Sequence, residues 1–203
     1  MDAVSAGPIL WGAAARALSE TSGDLAVVRP FEHGVLVAVV DGLGHGPEAA
    51  HAARRAGGEL ERHAHESVIS LVRRCHASLR GTRGVVMSLA SFNDRDDTMT
   101  WIGVGNVEGV LLRAQPTPGA PRESVLLRGG VVGYDLPPLQ AFVVAVEPGD
   151  TLVLATDGVR TEFMSQLKTA PAPERQAAEL LGRYGKTTDD ALILVARYLG
   201  PSH

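Results

Sequence analysis

One cysteine in 203 residues, Cys75, excludes an internal disulfide and any cysteine-rich zinc site. It falls in a helical pattern from Ser67 to Leu79, where an inert, partly buried thiol is expected. Aromatic residues make up only 4% of the chain, so a core has to be assembled mainly from Val, Leu and Ala. Basic residues do not dominate. Nineteen Lys and Arg stand against 23 Asp and Glu, a formal charge of −4 that lacks the basic footprint of a nucleic-acid surface. Long apolar runs are missing too: Phe142 to Val146 and Thr151 to Ala155 are strand-sized, well short of a membrane span. Met1 to Leu10 has neither the basic start nor the apolar run of a secretory signal. These absences lead us to expect a soluble, cytoplasmic, monomeric protein with no membrane or nucleic-acid partner. No repeat or linker interrupts the chain, so residues 1–203 are expected to form a single domain.

The chain alternates between two kinds of pattern. Strand-like segments are read at Trp11 to Leu18, Leu25 to Arg29 and Val35 to Val40, with turn residues at Thr21 to Asp24 and Glu32 to Gly34. They are expected to lie side by side as antiparallel neighbours. Pro47 and Glu48 suit the first turn of a helix through the Ala-rich stretch to Ala64, and Ser67 to Leu79 gives a second. Strand signals return at Val85 to Phe92, Thr98 to Val104, Gly109 to Arg113 and Ser124 to Arg128, with Gln115 to Pro121 read as a Pro-rich loop. Phe142 to Val146 and Thr151 to Ala155 bracket Glu147-Pro148-Gly149-Asp150 and read as a hairpin. A helix from Glu174 to Tyr184 and a buried strand from Ala191 to Ala196 follow. This order does not alternate βα throughout, so antiparallel sheets flanked by helices, an α+β class, fit better than a doubly wound parallel sheet.

Aspartates recur where strands end. Asp24 follows Ser22-Gly23, Asp41 follows Val39-Val40 and precedes Gly42, Asp157 sits in Ala155-Thr156-Asp157-Gly158, and Asp189-Asp190 precede the last apolar strand. Each alone is explained by turn chemistry. Together they place short carboxylates on rigid elements from four distant parts of the chain, and their convergence without cations would be costly. Hard divalent cations such as Mg²⁺ or Mn²⁺ take all-oxygen ligands of this kind, and a pair about 3.5–4 Å apart can activate water and clamp a phosphoryl group.

These strings resemble the PPM (type 2C-like) protein phosphatases, in particular their SpoIIE-like branch. The most specific is Asp41-Gly42-Leu43-Gly44-His45-Gly46-Pro47-Glu48, and the motifs run in the family's order from Asp24 to Val195. Within the branch, the short length and the Asp-Gly-Leu-Gly-His-Gly string are similar to the stressosome feedback phosphatases. The resemblance implies an αββα sandwich and a metal-bridging hydroxide that hydrolyses phosphoserine or phosphothreonine on phosphorylated STAS-domain proteins of a stressosome. It implies two cations, Mn²⁺ or Mg²⁺, with Asp41 bridging them and acting with the metal-bridging water. The Gly42 carbonyl and Asp24 would add ligands on one side, and Asp157 and Asp189 on the other. Asp189 is preferred to Asp190 because the first acid of the family's late pair is the ligand.

Departures from the pattern mark other positions. Where relatives carry Asn-Ala-Gly-His, this chain reads Gly105-Asn106-Val107-Glu108, keeping Asn106 without the histidine. His45 is a candidate proton donor, but no orienting carboxylate can be named for it, and a packing or helix-capping role is the favoured reading. Gly42, Gly44 and Gly46 resemble a dinucleotide turn, yet Pro47 occupies the place of its third glycine. No G-x-S-x-G elbow supports a serine hydrolase. The alternative from another class is a binding module with the same fold and a catalytically weak metal site. The basic pairs Arg54-Arg55 and Arg73-Arg74 read as helix faces first and protein-docking patches second.

Overall fold

The computed structural model describes residues 4–117 and 120–201. Strands β1 (Val4–Ala6), β2 (Ile9–Arg16), β3 (Asp24–Phe31) and β4 (Gly34–Gly42) lead into helices α1 (Pro47–Arg62) and α2 (Val68–Ser78). Strands β5 (Val85–Asn93), β6 (Thr98–Val104), β7 (Glu108–Thr117), β8 (Ala120–Ser124), β9 (Leu127–Arg128), β10 (Phe142–Ala145) and β11 (Thr151–Ala155) follow. A 3₁₀ turn (Thr161–Gln166), helix α3 (Pro173–Tyr184) and strand β12 (Ala191–Tyr198) complete the described elements. One sheet runs β1-β2-β12-β11-β7-β8 and the other β10-β6-β5-β4-β3, with β9 joining β6 in parallel.

Burial shows why these layers form. In β4, Val35, Val37 and Val39 point into a core shared with Ile9, Leu111, Leu152 and Leu194 of the other sheet. The alternate residues Leu36, Ala38 and Val40 point the opposite way, into a second core with α1 and α2. Because successive side chains alternate faces, a strand buried on both reads as an unbroken apolar run. A third core packs α3 on the outer face of the first sheet, through Ala177 and Leu180 against Val153 and Ile193. The result is the expected αββα sandwich. Scarcity of aromatics is met by close approach: α1 lies on its sheet through Ala49, Ala52, Ala53 and Ala56, all buried. Ser67 caps α2, its hydroxyl accepting from the Ser70 amide at 3.2 Å. Cys75 is fully buried, and burial pushes its thiol up to about 12, as an inert core residue should be. Among the described residues no helix is long and apolar enough to cross a membrane.

Three sequence expectations need correction. The segment at 11–18 is not a neighbour of β3: β2 pairs with β1 and β12, while β3 belongs to the other sheet. Phe142 to Ala155 is not a hairpin either. β10 pairs with β6 and β11 lies between β7 and β12, so the Pro148-Gly149 turn carries the chain from one sheet to the other. The stretch 115–121 is mostly strand, because β7 continues to Thr117 and β8 resumes at Ala120; positions 118 and 119 lie outside the described residues.

Candidate metal centre

At one end of the sandwich, strand ends from both sheets meet. Asp24 opens β3 and Asp41 nearly closes β4, and antiparallel register sets them directly opposite one another. Asp157 follows β11, and Asp189 and Asp190 precede its neighbour β12. Two glycines allow this closeness. A Cβ at Gly42 would stand 2.2 Å from the Ala49 carbonyl oxygen of α1, and one at Gly158 would stand 1.8 Å from that of Asp190. The Asp41-Gly42 and Asp157-Gly158 pairs therefore need glycine for close backbone approach.

A cleft of about 650 Å³ opens here, lined by Asp41, His45, Asn106, Asp157 and Asp189, with Gly129 to Val131 along another wall. Asp24 and Asp190 do not line it. They sit behind it, 9% and 4% exposed, and each is held by the protein. Asp24 Oδ2 accepts from the Thr156 hydroxyl at 2.8 Å, and the same hydroxyl accepts from the Leu192 amide at 2.9 Å. Asp190 accepts from the Leu18 amide through Oδ1 and from the Gly23 amide through Oδ2, both at 2.7 Å. Asp157 is exposed and accepts from Asn106 Nδ2 at 2.7 Å, while Lys186 Nζ donates to its carbonyl at 2.6 Å. Asp189 is half-buried and takes the Asp190 amide at 2.9 Å. Asp41 differs from the other four, since its carboxylate has no donor among the described residues.

Electrostatics follow from this crowding. Burial raises Asp41 to about 8, with Asp24, Asp157, Asp189 and Asp190 all adding to the rise. Burial also raises Asp24 to about 7; the Thr156 hydroxyl opposes that rise, and the neighbouring carboxylates add to it. Among the described residues, no three acidic, histidine or cysteine side chains already form a closed metal cage. Each carboxylate but Asp41 leans on a protein donor instead. The donor set still fits a hard divalent cation: it is all carboxylate and carbonyl oxygen, faces an open cleft, and carries negative charge that a cation would relieve.

A pH dependence follows. Unfolded aspartates titrate near 3.8, whereas Asp24 and Asp41 in the fold titrate near 7 and 8. Between those limits the folded state holds the extra protons, so stability must fall as pH rises across the window. In EDTA, melting temperature is expected to drop by at least ~4 °C between pH 5 and 8.5, because rises of this kind on two groups are together worth ~2 kcal/mol or more. Saturating Mn²⁺ should remove most of the slope. A profile in EDTA that is flat or rising would contradict the crowding.

His45 is exposed and lines the cleft. The favoured packing or capping role fails: the N-cap of α1 is Gly46, with no side-chain cap bond. Sequence reasoning gave no role to Thr156 or Lys186. Thr156 lies inside the quoted Ala155-to-Gly158 string, but its bond to Asp24 spans 132 residues and has no local signature.

The family model for Stage II sporulation protein E (SpoIIE) matches residues 32–199. The chain belongs to the SpoIIE family. It is 25% identical over 174 residues to phosphoserine phosphatase RsbX of Bacillus subtilis (strain 168), covering 85% of each protein. The crystal structure of RsbX in complex with magnesium superposes with a TM-score of 0.84 at 21% identity, over 97% of this chain and 98% of that one. A chain solved in work on the bacterial stressosome, as a modular system adapted to control secondary messenger signalling, gives 0.84 at 29% identity, over 93% and 99%. The catalytic domain of the serine/threonine phosphatase PstP with two manganese ions gives 0.71 at 15%, over 94% and 98%. This SpoIIE-family chain has the PP2C-type protein phosphatase fold.

Proposed function

We propose that the chain hydrolyses phosphoserine or phosphothreonine on a protein, using two divalent cations, Mg²⁺ or Mn²⁺, in the aspartate-lined cleft. The observation that carries this reading is Asp41, a largely buried carboxylate that faces the cleft without a protein donor while four other aspartates crowd it. Asp41 would reach both cations, helped by the Gly42 carbonyl and by Asp24, with Asp157 and Asp189 on the other side. When bound, the cations activate water for attack on phosphorus and neutralise charge on the phosphoryl oxygens.

The chain's own groups do the rest. Thr156 holds Asp24 through its hydroxyl, and Asn106 holds one oxygen of Asp157 at the rim of the cleft. Asp190 ties the segments before β3 and β12 together and so acts as a support. His45 is free to turn toward a leaving alkoxide and donate a proton to it. The kinship with RsbX and with a chain solved in work on the bacterial stressosome supports phosphorylated STAS-domain proteins of a stressosome as the substrates, and with them a cytoplasmic setting.

The test is phosphate release from a phosphorylated STAS protein by the full chain with Mn²⁺. Release should stop in EDTA and return with added Mn²⁺ or Mg²⁺. A folded chain that binds the phosphoprotein and releases nothing with either cation would be a binding module.

A further inference from the structure

The turn after Asp41 serves two recesses. Gly44 and His45 line the metal cleft, and Pro47 and Glu48 line a second hollow of about 610 Å³. Its other walls are His51 and Arg55 of α1 and the segment Arg80 to Arg83 that precedes β5. Three arginines thus face one carboxylate, in a chain whose net charge is −4. Arg83 pairs with Glu48 at 2.5 Å, and its guanidinium lies over Gly44, where a Cβ would meet Nη1 at 2.8 Å. Arg55 and Arg80 are exposed and have no hydrogen-bond or ion-pair partner among the described residues.

The surface is also stiff. His51 and Arg55 are one turn apart on one face of α1. The Arg80–Arg83 segment is tied down: the Thr82 amide and hydroxyl both donate to the Leu79 carbonyl, at 3.0 and 2.7 Å, and the hydroxyl accepts from the Gly84 amide at 3.1 Å. Two unpaired guanidinium forks on a fixed frame, beside a cleft that takes a phosphorylated side chain, suit carboxylates of the same polypeptide.

We propose that this recess docks acidic residues flanking the phosphorylated residue of the protein substrate. The proposal rests on the phosphatase reading and adds a specificity element to it. Arg55 and Arg80 are the contacts, and Arg83, held by Glu48, forms the boundary with the cleft.

The test uses the full chain with Mn²⁺ and three substrates: a phosphoserine peptide with Asp on both flanks, the same peptide with Asn at those positions, and p-nitrophenyl phosphate. Wild type should favour the Asp peptide by about tenfold in kcat/KM, carried by KM and reduced at high salt. Arg55→Gln with Arg80→Gln should bring the preference to within about twofold, leaving the Asn peptide and p-nitrophenyl phosphate unchanged. Equal rates on both peptides in the wild type, or an equal loss on all three substrates in the double variant, would overturn it. If none of the three is hydrolysed, release from the phosphorylated STAS protein decides the phosphatase reading by itself. Fluorescence anisotropy of the labelled peptides then decides docking: tighter wild-type binding of the Asp peptide, lost in the double variant, upholds it, and equal binding refutes it.

Discussion

Asp41→Asn is expected to lower Mn²⁺-dependent phosphate release by at least ~10³-fold, about 4 kcal/mol of barrier, while the chain stays folded. Asn keeps the size of Asp and one acceptor oxygen but gives up the charge and the second oxygen, which a ligand shared between two cations needs. The accompanying change in stability separates this from simple damage. In the fold the Asp41 carboxylate is desolvated, faces four other aspartates and has no donor to offset either cost. Removing its charge should therefore stabilise the chain in EDTA at pH 8.5 by about 1 kcal/mol, roughly 2–4 °C. The stabilisation that Mn²⁺ gives the wild type should be lost in the variant, since binding to the folded state alone is what raises the melting temperature. Differential scanning fluorimetry with EDTA and with Mn²⁺ reads both effects. A variant that melts lower in EDTA, or still gains full stability from Mn²⁺, would remove Asp41 from the centre of the site.

The carboxylates were legible because each stands at one end of an apolar strand, with Asp24, Asp41 and Asp157 beside glycine, and strand ends are local features. Val35 to Val40 was readable as a strand for the same kind of reason: an unbroken apolar run fits a segment covered on both faces. Pairing partners were not legible in the same way. The Glu147 to Asp150 turn has the chemistry of a hairpin, and Gly149 adopts φ 99° as such turns require, yet its flanking strands enter different sheets. A turn fixes the direction of the chain, whereas the sheet that a strand joins depends on which apolar face it covers. The support of the site was hidden by distance. Thr156 holding Asp24 and Asp190 holding Gly23 link residues of the two sheets across 132 and 167 residues, and Asp190 also holds Leu18 across 172.

Asp189 and Asp190 are adjacent in sequence, and their substitutions are expected to fail in opposite ways. Asp190 is buried with both carboxylate oxygens engaged by backbone amides at 2.7 Å. Asp190→Ala leaves those two amides without an acceptor, and at ~1–3 kcal/mol for each unmet group the expected loss is about 3 kcal/mol, or ~6–12 °C in melting temperature with or without cation. Asp189 lines the cleft and holds only the next amide along the chain, so Asp189→Ala should cost under ~1 kcal/mol of stability in EDTA. Its effect should instead fall on cation affinity, at least ~10-fold weaker for Mn²⁺, with phosphate release reduced about 10²-fold at fixed cation. Excess Mn²⁺ should restore part of the Asp189→Ala activity and none of the stability of Asp190→Ala. The reverse pattern, with Asp190→Ala stable but blind to Mn²⁺ and Asp189→Ala fully active, would make Asp190 the ligand. Its two amide bonds would then have to be exchanged for a cation as the site fills.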